Sequence, residues 1–234
     1  SIPEAPGSSR NWDYRYCWLR DTYYIINALH HIGHFEETEK YFDYINDISF
    51  EEGLRFQPLY SITRQDNLEE EIAGHLSGYL GNGPVRIGNQ AYEHIQNDIY
   101  GQALITLLPL YSDHRFVFTE RKDSAHLVEV ALKRIEYTID EKDAGIWEFR
   151  NSAYIHCYSN LFQWAGCKAA AKIARSIKHK ELEEKALMLM DKAAAYIEAC
   201  YDPERKVYTH AVGSPYLDAS TLQLIMMNYL NPES

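Results

Sequence analysis

The apolar residues of this chain recur mostly at the spacing of an α-helix, and the alternation typical of β-strands is nearly absent. Residues 127–135 and 182–197 show this 3.6-residue period, and the second segment places Leu187 on its inner face. The pattern predicts about seven helices, joined by short turns and long loops in alternation. It favours an all-α fold of helical hairpins in a toroid or a solenoid. The helices are expected at residues 21–32, 34–48, 90–108, 124–139, 154–177 and 179–200, and from Pro215 toward Leu230.

Two long loops interrupt the predicted helices. The first covers residues 49–89 and is rich in glycine between positions 74 and 88, and the second covers residues 141–152. An irregular loop of about forty residues is rare in a compact helical domain unless it carries function. We therefore expect the functional side chains in or beside these loops.

Charge and composition exclude several classes of protein. The 234 residues carry a formal net charge of −11, whereas nucleic-acid binding needs a basic face. No apolar run reaches the length of a membrane span, so no membrane partner is expected. The four cysteines lack CxxC spacing and are expected to be reduced, which favours a cytoplasmic location. Nineteen tyrosines suit either a sugar site or an aromatic core.

Neither a metal nor a cofactor is expected. Gly33 interrupts the histidine cluster of His30, His31 and His34, and HExxH and EF-hand patterns are missing from the sequence. The glycine-rich loop lacks the GK[ST] of a phosphate-binding loop, and no GxSxG nucleophile motif occurs.

The first candidate site is the segment NWDYRYCWLRDT at residues 11–22. Arg20 and Asp21 place a donor fork beside a carboxylate acceptor, which matches the vicinal hydroxyls of a sugar. The alternative is a capping aspartate next to a surface arginine. The flanking Trp12 and Trp18 favour the binding site.

The second candidate is the glycine-rich loop GNGPVRIGN at residues 81–89, from which Arg86 is expected to project. An equal alternative is that this loop has a structural role only.

The third candidate is Glu148, which lies between Trp147 and Phe149 in the segment DAGIWEFR. Aromatic neighbours are expected to desolvate the carboxyl and raise its pKa, as a general acid requires. The alternative is an ordinary surface glutamate.

Three segments in this order, NWDYRYCWLRDT, GPVRIGNQAYEHIQNDIYG and DAGIWEFR, resemble the bacterial glucoamylase, glucodextranase and trehalase family, glycoside hydrolase family fifteen. The resemblance implies an (α/α)6 barrel of twelve helices with its pocket at one end. It also implies that Glu148 is the catalytic acid, that Arg20 and Asp21 hold the terminal glucose, and that Tyr79 and Arg86 lie near the aglycone. The expected substrate-binding residues are Trp18, Arg20, Asp21, Tyr79, Arg86 and Trp147.

The resemblance further implies that residues 1–234 are an incomplete catalytic domain. A preceding β-sandwich, the remaining helices and the general base, in a late segment similar to GNFPQAFSH, are expected outside the sequence. The chain alone is therefore expected to be inactive and to self-associate through uncovered apolar faces.

The function implied is exo-acting, inverting hydrolysis of terminal α-glucosidic bonds in an α-linked glucose oligosaccharide, as by a glucoamylase, with release of β-glucose. Trehalose or dextran hydrolysis within the same family is an alternative. So are a non-catalytic, carbohydrate-binding or regulatory helical module and a helical scaffold for protein partners.

Overall fold

The computed structural model describes residues 2–49, 55–113, 115–116 and 124–231, and within them the protein is mainly helical. The prediction of an all-α chain with about seven helices is confirmed. The helices are α1 (Leu19–His31), α2 (Glu36–Ser49), α3 (Asp98–Ser112), α4 (Ser124–Thr138), α5 (Cys157–Ser176), α6 (Lys180–Glu198) and the short α7 (Gln223–Met226).

Six two-residue strands form three antiparallel pairs in the described residues. They are β1 (Cys17–Trp18) with β2 (Leu59–Tyr60), β3 (Glu71–Ile72) with β4 (Arg86–Ile87), and β5 (Tyr201–Asp202) with β6 (Val207–Tyr208).

The chain divides into two compact units. The first contains Ser1–Trp18 and Gln57–His94, and the second contains Leu19–Phe56 and Ile95–Ser234. The first unit therefore holds β1 to β4, and the second holds all seven helices with β5 and β6.

In the second unit, α5 packs against both α3 and α6. Gly101 on α3 and Gly166 on α5 allow the first of these contacts, because a Cβ atom at Gly101 would collide with the Phe162 carbonyl and one at Gly166 with the Gly101 Cα. Fifteen of the twenty residues of α5 are buried, among them Tyr158, Phe162 and Cys167. The core of this unit therefore runs along α5.

The sequence periods locate the main buried positions of α4 and α6 but misplace Leu187. Leu127, Ala131 and Ile135 of α4 are fully buried, as their spacing predicts. On α6, Leu187 is exposed, and Leu189 takes the inner position instead. Position 189 follows Leu182 by seven residues, two helical turns, and so lies more directly on the buried stripe than position 187 does.

In the first unit, the expected irregular loop contains short strands and a small core of its own. Trp18, Leu59, Leu68 and Ala91 form this core. The helix expected from residue 90 is also wrong at its start, because Gln90–Glu93 is a separate 3-10 turn and α3 begins at Asp98. Asn89 caps the turn by accepting a hydrogen bond from the Ala91 amide.

The last predicted helix is much shorter than expected. A 3-10 turn at Ala219–Leu222 precedes the four-residue α7. Asp218 starts the turn by accepting a hydrogen bond from the Ser220 amide at 2.8 Å. Asn228 follows the helix with a φ of +53°, a left-handed conformation that a continuing helix does not allow.

Candidate active site

Arg20 lies in the first turn of α1, and its side chain is only 12% exposed. Its Nη2 atom is 3.2 Å from Oδ2 of Asp21 and 3.2 Å from Oε1 of Glu148. Asp21 is 60% exposed, so its carboxylate is open to solvent. The fold thus brings together three predicted site residues, two of which are 128 positions apart in the sequence.

Glu148 lies on a tight turn between α4 and α5. The Phe149 amide donates to the Ala144 carbonyl at 3.0 Å, and the Glu148 amide donates to the Gly145 carbonyl at 3.2 Å. Gly145 and Glu148 both have positive φ, +65° and +55°. A left-handed glutamate is uncommon, and such strained residues concentrate at functional sites.

The surroundings of the Glu148 carboxyl differ from those expected. Trp147 is 55% exposed and Phe149 39%, and the Glu148 side chain is itself 29% exposed. Its carboxylate accepts hydrogen bonds from Arg20 and Gln96. The rings of Trp147 and Phe149 therefore do not enclose the Glu148 carboxyl. The turn directs Trp147 to Asp218, where the indole Nε1 donates to Oδ2 at 2.6 Å.

Gln96 belongs to this candidate site but was not predicted from the sequence. Its side chain is 2% exposed, accepts from Nη1 of Arg20 at 2.9 Å and donates to Oε1 of Glu148 at 3.1 Å. It directly precedes Asn97, the N-cap of α3, within the second family-like segment. Its place in that segment was the signal in the sequence that could have found it.

Asp98, at the start of α3, adds a buried negative charge near Arg20. Burial raises the pKa of Asp98 to about 6, and the Arg20 guanidinium opposes this rise. Burial by itself would lower the pKa of Arg20, but the carboxylates of Asp98, Glu148 and Asp21 raise it above its ordinary value. Arg20 is therefore a permanent cation held among acidic groups.

Asp143 connects the two segments that carry Gln96 and Glu148. Its Oδ2 accepts from the Asn97 amide at 2.8 Å and from the Ser159 hydroxyl at 2.7 Å, and its Oδ1 accepts from the Gly145 amide at 3.1 Å. Burial raises the pKa of Asp143 to about 7, while these hydrogen bonds oppose the rise. Asp143 thereby supports the site from behind.

Replacing Gly145 by alanine is expected to destabilise this turn. The new Cβ atom would lie 2.6 Å from Nε2 of His156, on a residue that already has a φ of +65°. Gly33→Ala is the matched control, because Gly33 has a φ of +89° but a Cβ atom added there would have no heavy atom within 4 Å. Crowding typically costs ~1–3 kcal/mol, so Gly145→Ala should lower the free energy of unfolding by at least ~1 kcal/mol more than Gly33→Ala. Equal losses in urea unfolding would show that His156 does not restrict the turn.

A cavity of about 450 Å³ lies beside the Glu148 turn in the second unit. Its walls combine aromatic and polar side chains, including Phe149, Tyr154, His210, Tyr216 and Asp218. Asp218 also holds the Trp147 indole, so this wall is joined to the turn that carries Glu148. Aromatic faces with hydroxyl and carboxylate groups suit a sugar ring.

Three predicted substrate-binding residues, Trp18, Tyr79 and Arg86, lie in the first unit. Trp18 is buried in the small core of that unit, and Tyr79 is exposed. Arg86 forms an ion pair with Glu70 at 2.8 Å, and its guanidinium lies 4.6 Å from the centre of the Trp12 ring. These contacts shape the loop, and the expected sugar contacts of the three residues stay predictions.

The described residues contain neither a candidate metal site nor a candidate membrane span. No three His, Cys, Asp or Glu side chains there are grouped so that they could hold a metal ion. Within the same part of the chain, each helix is too short or too polar to cross a membrane.

Two solved structures with a similar fold are glucoamylases. A bacterial glucoamylase complexed with acarbose aligns with a TM-score of 0.61 and 19% identity over 94% of this chain and 28% of that chain. The glucoamylase of Saccharomycopsis fibuligera aligns with a TM-score of 0.59 and 15% identity over 96% of this chain and 46% of that chain. Glucoamylases have an (α/α)6 barrel, which confirms the predicted fold class.

Curated relatives are more similar in sequence. The trehalase of Thermoplasma volcanium is 33% identical over 98% of this chain and 36% of its own length. The trehalase of Mycobacterium tuberculosis is 33% identical over all of this chain and 34% of its own length. The chain thus spans about a third of the length of these relatives. The family profile named Glycosyl hydrolases family 15 matches residues 1–234, and the chain therefore belongs to glycosyl hydrolase family 15.

Proposed function

We propose that this chain carries the general acid and the glucose-binding residues of an inverting exo-α-glucosidase. The observation that supports this most strongly is the cluster of Arg20, Gln96 and Glu148, which joins a buried cation to a carboxyl on a strained turn. Membership of a glycoside hydrolase family supports a carbohydrate as the substrate.

In this proposal, Glu148 donates a proton to the glycosidic oxygen as the bond to the anomeric carbon breaks. Asp21, whose carboxylate is open to solvent, accepts hydrogen bonds from the hydroxyls of the terminal glucose. Arg20 donates to the same sugar from its guanidinium fork. Trp147 forms the adjoining wall through its bond to Asp218.

The general base is proposed to be a different carboxylate from Asp21. Asp21 and Glu148 each have an oxygen 3.2 Å from the same Arg20 nitrogen, so these two oxygens are at most twice that distance apart. Inverting pairs are typically ~6.5–9.5 Å apart, because a water molecule lies between them and the sugar. Asp21 is thus better placed to bind a hydroxyl. We propose that residues 1–234 form an incomplete catalytic domain and that the base belongs to another part of the enzyme.

Trehalose is the substrate that we favour. The curated relatives at 33% identity are named trehalases, whereas the glucoamylase structures share at most 19%. The cavity beside Glu148 is at the small end of the ~300–1,000 Å³ that ligand pockets span, which suits a second glucose unit. The four cysteines are free thiols, which supports a reducing, cytoplasmic location.

A glucoamylase-type activity on α-1,4-linked oligomers is the second candidate. The structural similarity to a glucoamylase bound to acarbose supports it, because the helical fold is shared. The two candidates use the same acid and differ in the sugar that occupies the leaving-group side.

The test is to incubate the protein, at its full natural length, with trehalose, maltose and isomaltose and to follow the anomers by proton NMR. Inversion of trehalose should release α- and β-glucose in equal initial amounts, because only the attacked anomeric carbon changes configuration. Inversion of maltose should release its non-reducing glucose as β-glucose. Faster turnover of maltose would favour the second candidate. Initial release of α-glucose alone from trehalose would mean a retaining enzyme and would contradict the mechanism.

A further inference from the structure

Two hydrogen-bond donors contact one oxygen of the Glu148 carboxyl, Oε1. Oε1 lies 3.2 Å from Nη2 of Arg20 and 3.1 Å from Nε2 of Gln96. We propose that Gln96 is a positioning residue which, with Arg20, restricts the transferable proton of Glu148 to its other oxygen, Oε2. This inference rests on the proposed role of Glu148 as the general acid.

Arg20 determines which way the Gln96 amide points. A guanidinium has only donors, so the atom of Gln96 that lies 2.9 Å from Nη1 must be the carbonyl oxygen. The NH₂ group of the same amide then faces Glu148, where only an oxygen can accept from it. The opposite orientation would place two donors against each other at Arg20, so one orientation alone satisfies both contacts.

The two contacts at Oε1 also determine which oxygen of Glu148 carries the proton. Both neighbours of Oε1 are donors and cannot accept a hydrogen bond in return. A proton on Oε1 would therefore point toward N–H groups and displace at least one of these contacts. A proton on Oε2 leaves both contacts in place.

The arrangement is also suited to the moment of proton transfer. The O–H bond at Oε2 breaks and its proton goes to the glycosidic oxygen, while that oxygen keeps the electron pair of the bond to the anomeric carbon. The negative charge left on the carboxylate is shared by Oε1, where two donors are already in place. Hydrogen bonds strengthen when their acceptor becomes charged, so the two hydrogen bonds to Oε1 are stronger after proton transfer than before it.

Burial and backbone contacts keep Gln96 in this position. Its side chain is 2% exposed, so water has little access to replace the amide. The next residue, Asn97, donates its amide to buried Asp143 at 2.8 Å, and Asp143 also holds the start of the Glu148 turn through Gly145. Asp143 thus supports both the donor, Gln96, and its acceptor, Glu148.

The experiment uses Gln96→Met and Gln96→Asn in the protein at its full natural length, with Gln90→Met as the matched change at an exposed glutamine. Methionine keeps the approximate size but removes both hydrogen bonds, and asparagine keeps the amide but shortens its reach. Each variant is assayed on trehalose or maltose, whichever the wild type prefers, and on α-glucosyl fluoride, whose leaving group needs little protonation.

We expect Gln96→Met to lower kcat on the natural sugar by ~10²-fold, the size of effect that loss of positioning can cause. Its KM should change only a few-fold, and hydrolysis of the fluoride should fall less than tenfold. The alkaline limb of its kcat/KM profile should move to higher pH, because the charged carboxylate has lost a donor. Gln96→Asn should show the same changes to a smaller degree, and Gln90→Met should behave as the wild type.

The inference is overturned if folded Gln96→Met keeps the wild-type pH profile and the wild-type ratio of rates on the two substrates. If the methionine variant does not fold, the same result with folded Gln96→Asn overturns it. This result differs from failure of the proposed function. If Glu148→Gln is inactive while the Gln96 variants behave as the wild type, only the role of Gln96 is wrong. If Glu148→Gln stays active, the general acid is wrong and the role of Gln96 is wrong with it.

Discussion

Glu148→Gln is expected to abolish hydrolysis of trehalose and maltose while sugar binding is largely retained. The amide keeps the shape of the side chain and can still accept from Arg20 through its oxygen, but it has no acidic proton to give. General acid catalysis is typically worth ~10²–10⁴-fold, so kcat should fall by at least that factor. The measurement is initial glucose release at saturating substrate, together with calorimetric titration of the variant with the same sugar.

Two controls make the loss specific to proton donation. Glu141→Gln is the same change at an exposed glutamate of the preceding segment and should leave kcat unchanged. Hydrolysis of α-glucosyl fluoride by Glu148→Gln should be affected much less than hydrolysis of trehalose, because fluoride leaves with little help from an acid. Rates near wild type on both substrates would mean that Glu148 is not the acid.

Arg20→Ala is expected to damage both stability and activity. The substitution leaves Asp98 fully buried without its cation and also removes the cation next to Glu148. Removing one partner of a buried ion pair typically costs ~3–5 kcal/mol, and because Arg20 keeps some exposure we expect about 3 kcal/mol. Loss of a charged hydrogen bond to substrate should in addition lower kcat/KM by ~10²-fold. Urea unfolding and steady-state kinetics measure the two effects separately.

Arg175→Ala is the matched control, since Arg175 is 68% exposed and pairs with Glu183 on the surface. Exposed ion pairs contribute ~0–1 kcal/mol, so this variant should unfold at nearly the wild-type urea concentration. Equal destabilisation by the two variants would contradict the role of Arg20 as a buried counter-ion.

The stability difference between wild type and Arg20→Ala should depend on pH. Burial raises the pKa of Asp98 in the folded wild type to about 6, above its unfolded value of about 4. A raised carboxyl pKa stabilises the fold at low pH, and this contribution is lost as pH rises through the folded pKa. Without Arg20, ionisation of Asp98 destabilises the folded protein more than it does in the wild type. The difference should therefore be largest above pH 6 and shrink toward pH 4, and a difference that stays constant would exclude Asp98 as its cause.

Local sequence patterns determined most of the helical architecture. The apolar periods of α4 and α6 predict both helices, because a helix that packs on one side must repeat its buried positions every 3.6 residues. Apart from the assignment of Leu187 on α6, the errors lie where that period does not operate. At residues 90–97 and 215–230, capping by Asn89 and Asp218 produced 3-10 turns, which form from hydrogen bonds over a few residues and carry no long apolar pattern.

The sequence by itself also predicted Arg20, Asp21 and Glu148 as candidate site residues, because each belongs to a segment similar to those of glycosyl hydrolase family 15. Only the tertiary structure showed that these side chains meet and that Gln96 contacts both Arg20 and Glu148. It also replaced the expected aromatic enclosure of Glu148 by an arginine and an amide. The physical reason is that residue types are local properties of a chain, whereas the partners of a carboxyl, and hence its electrostatic environment, depend on contacts between segments that only folding brings within hydrogen-bond distance.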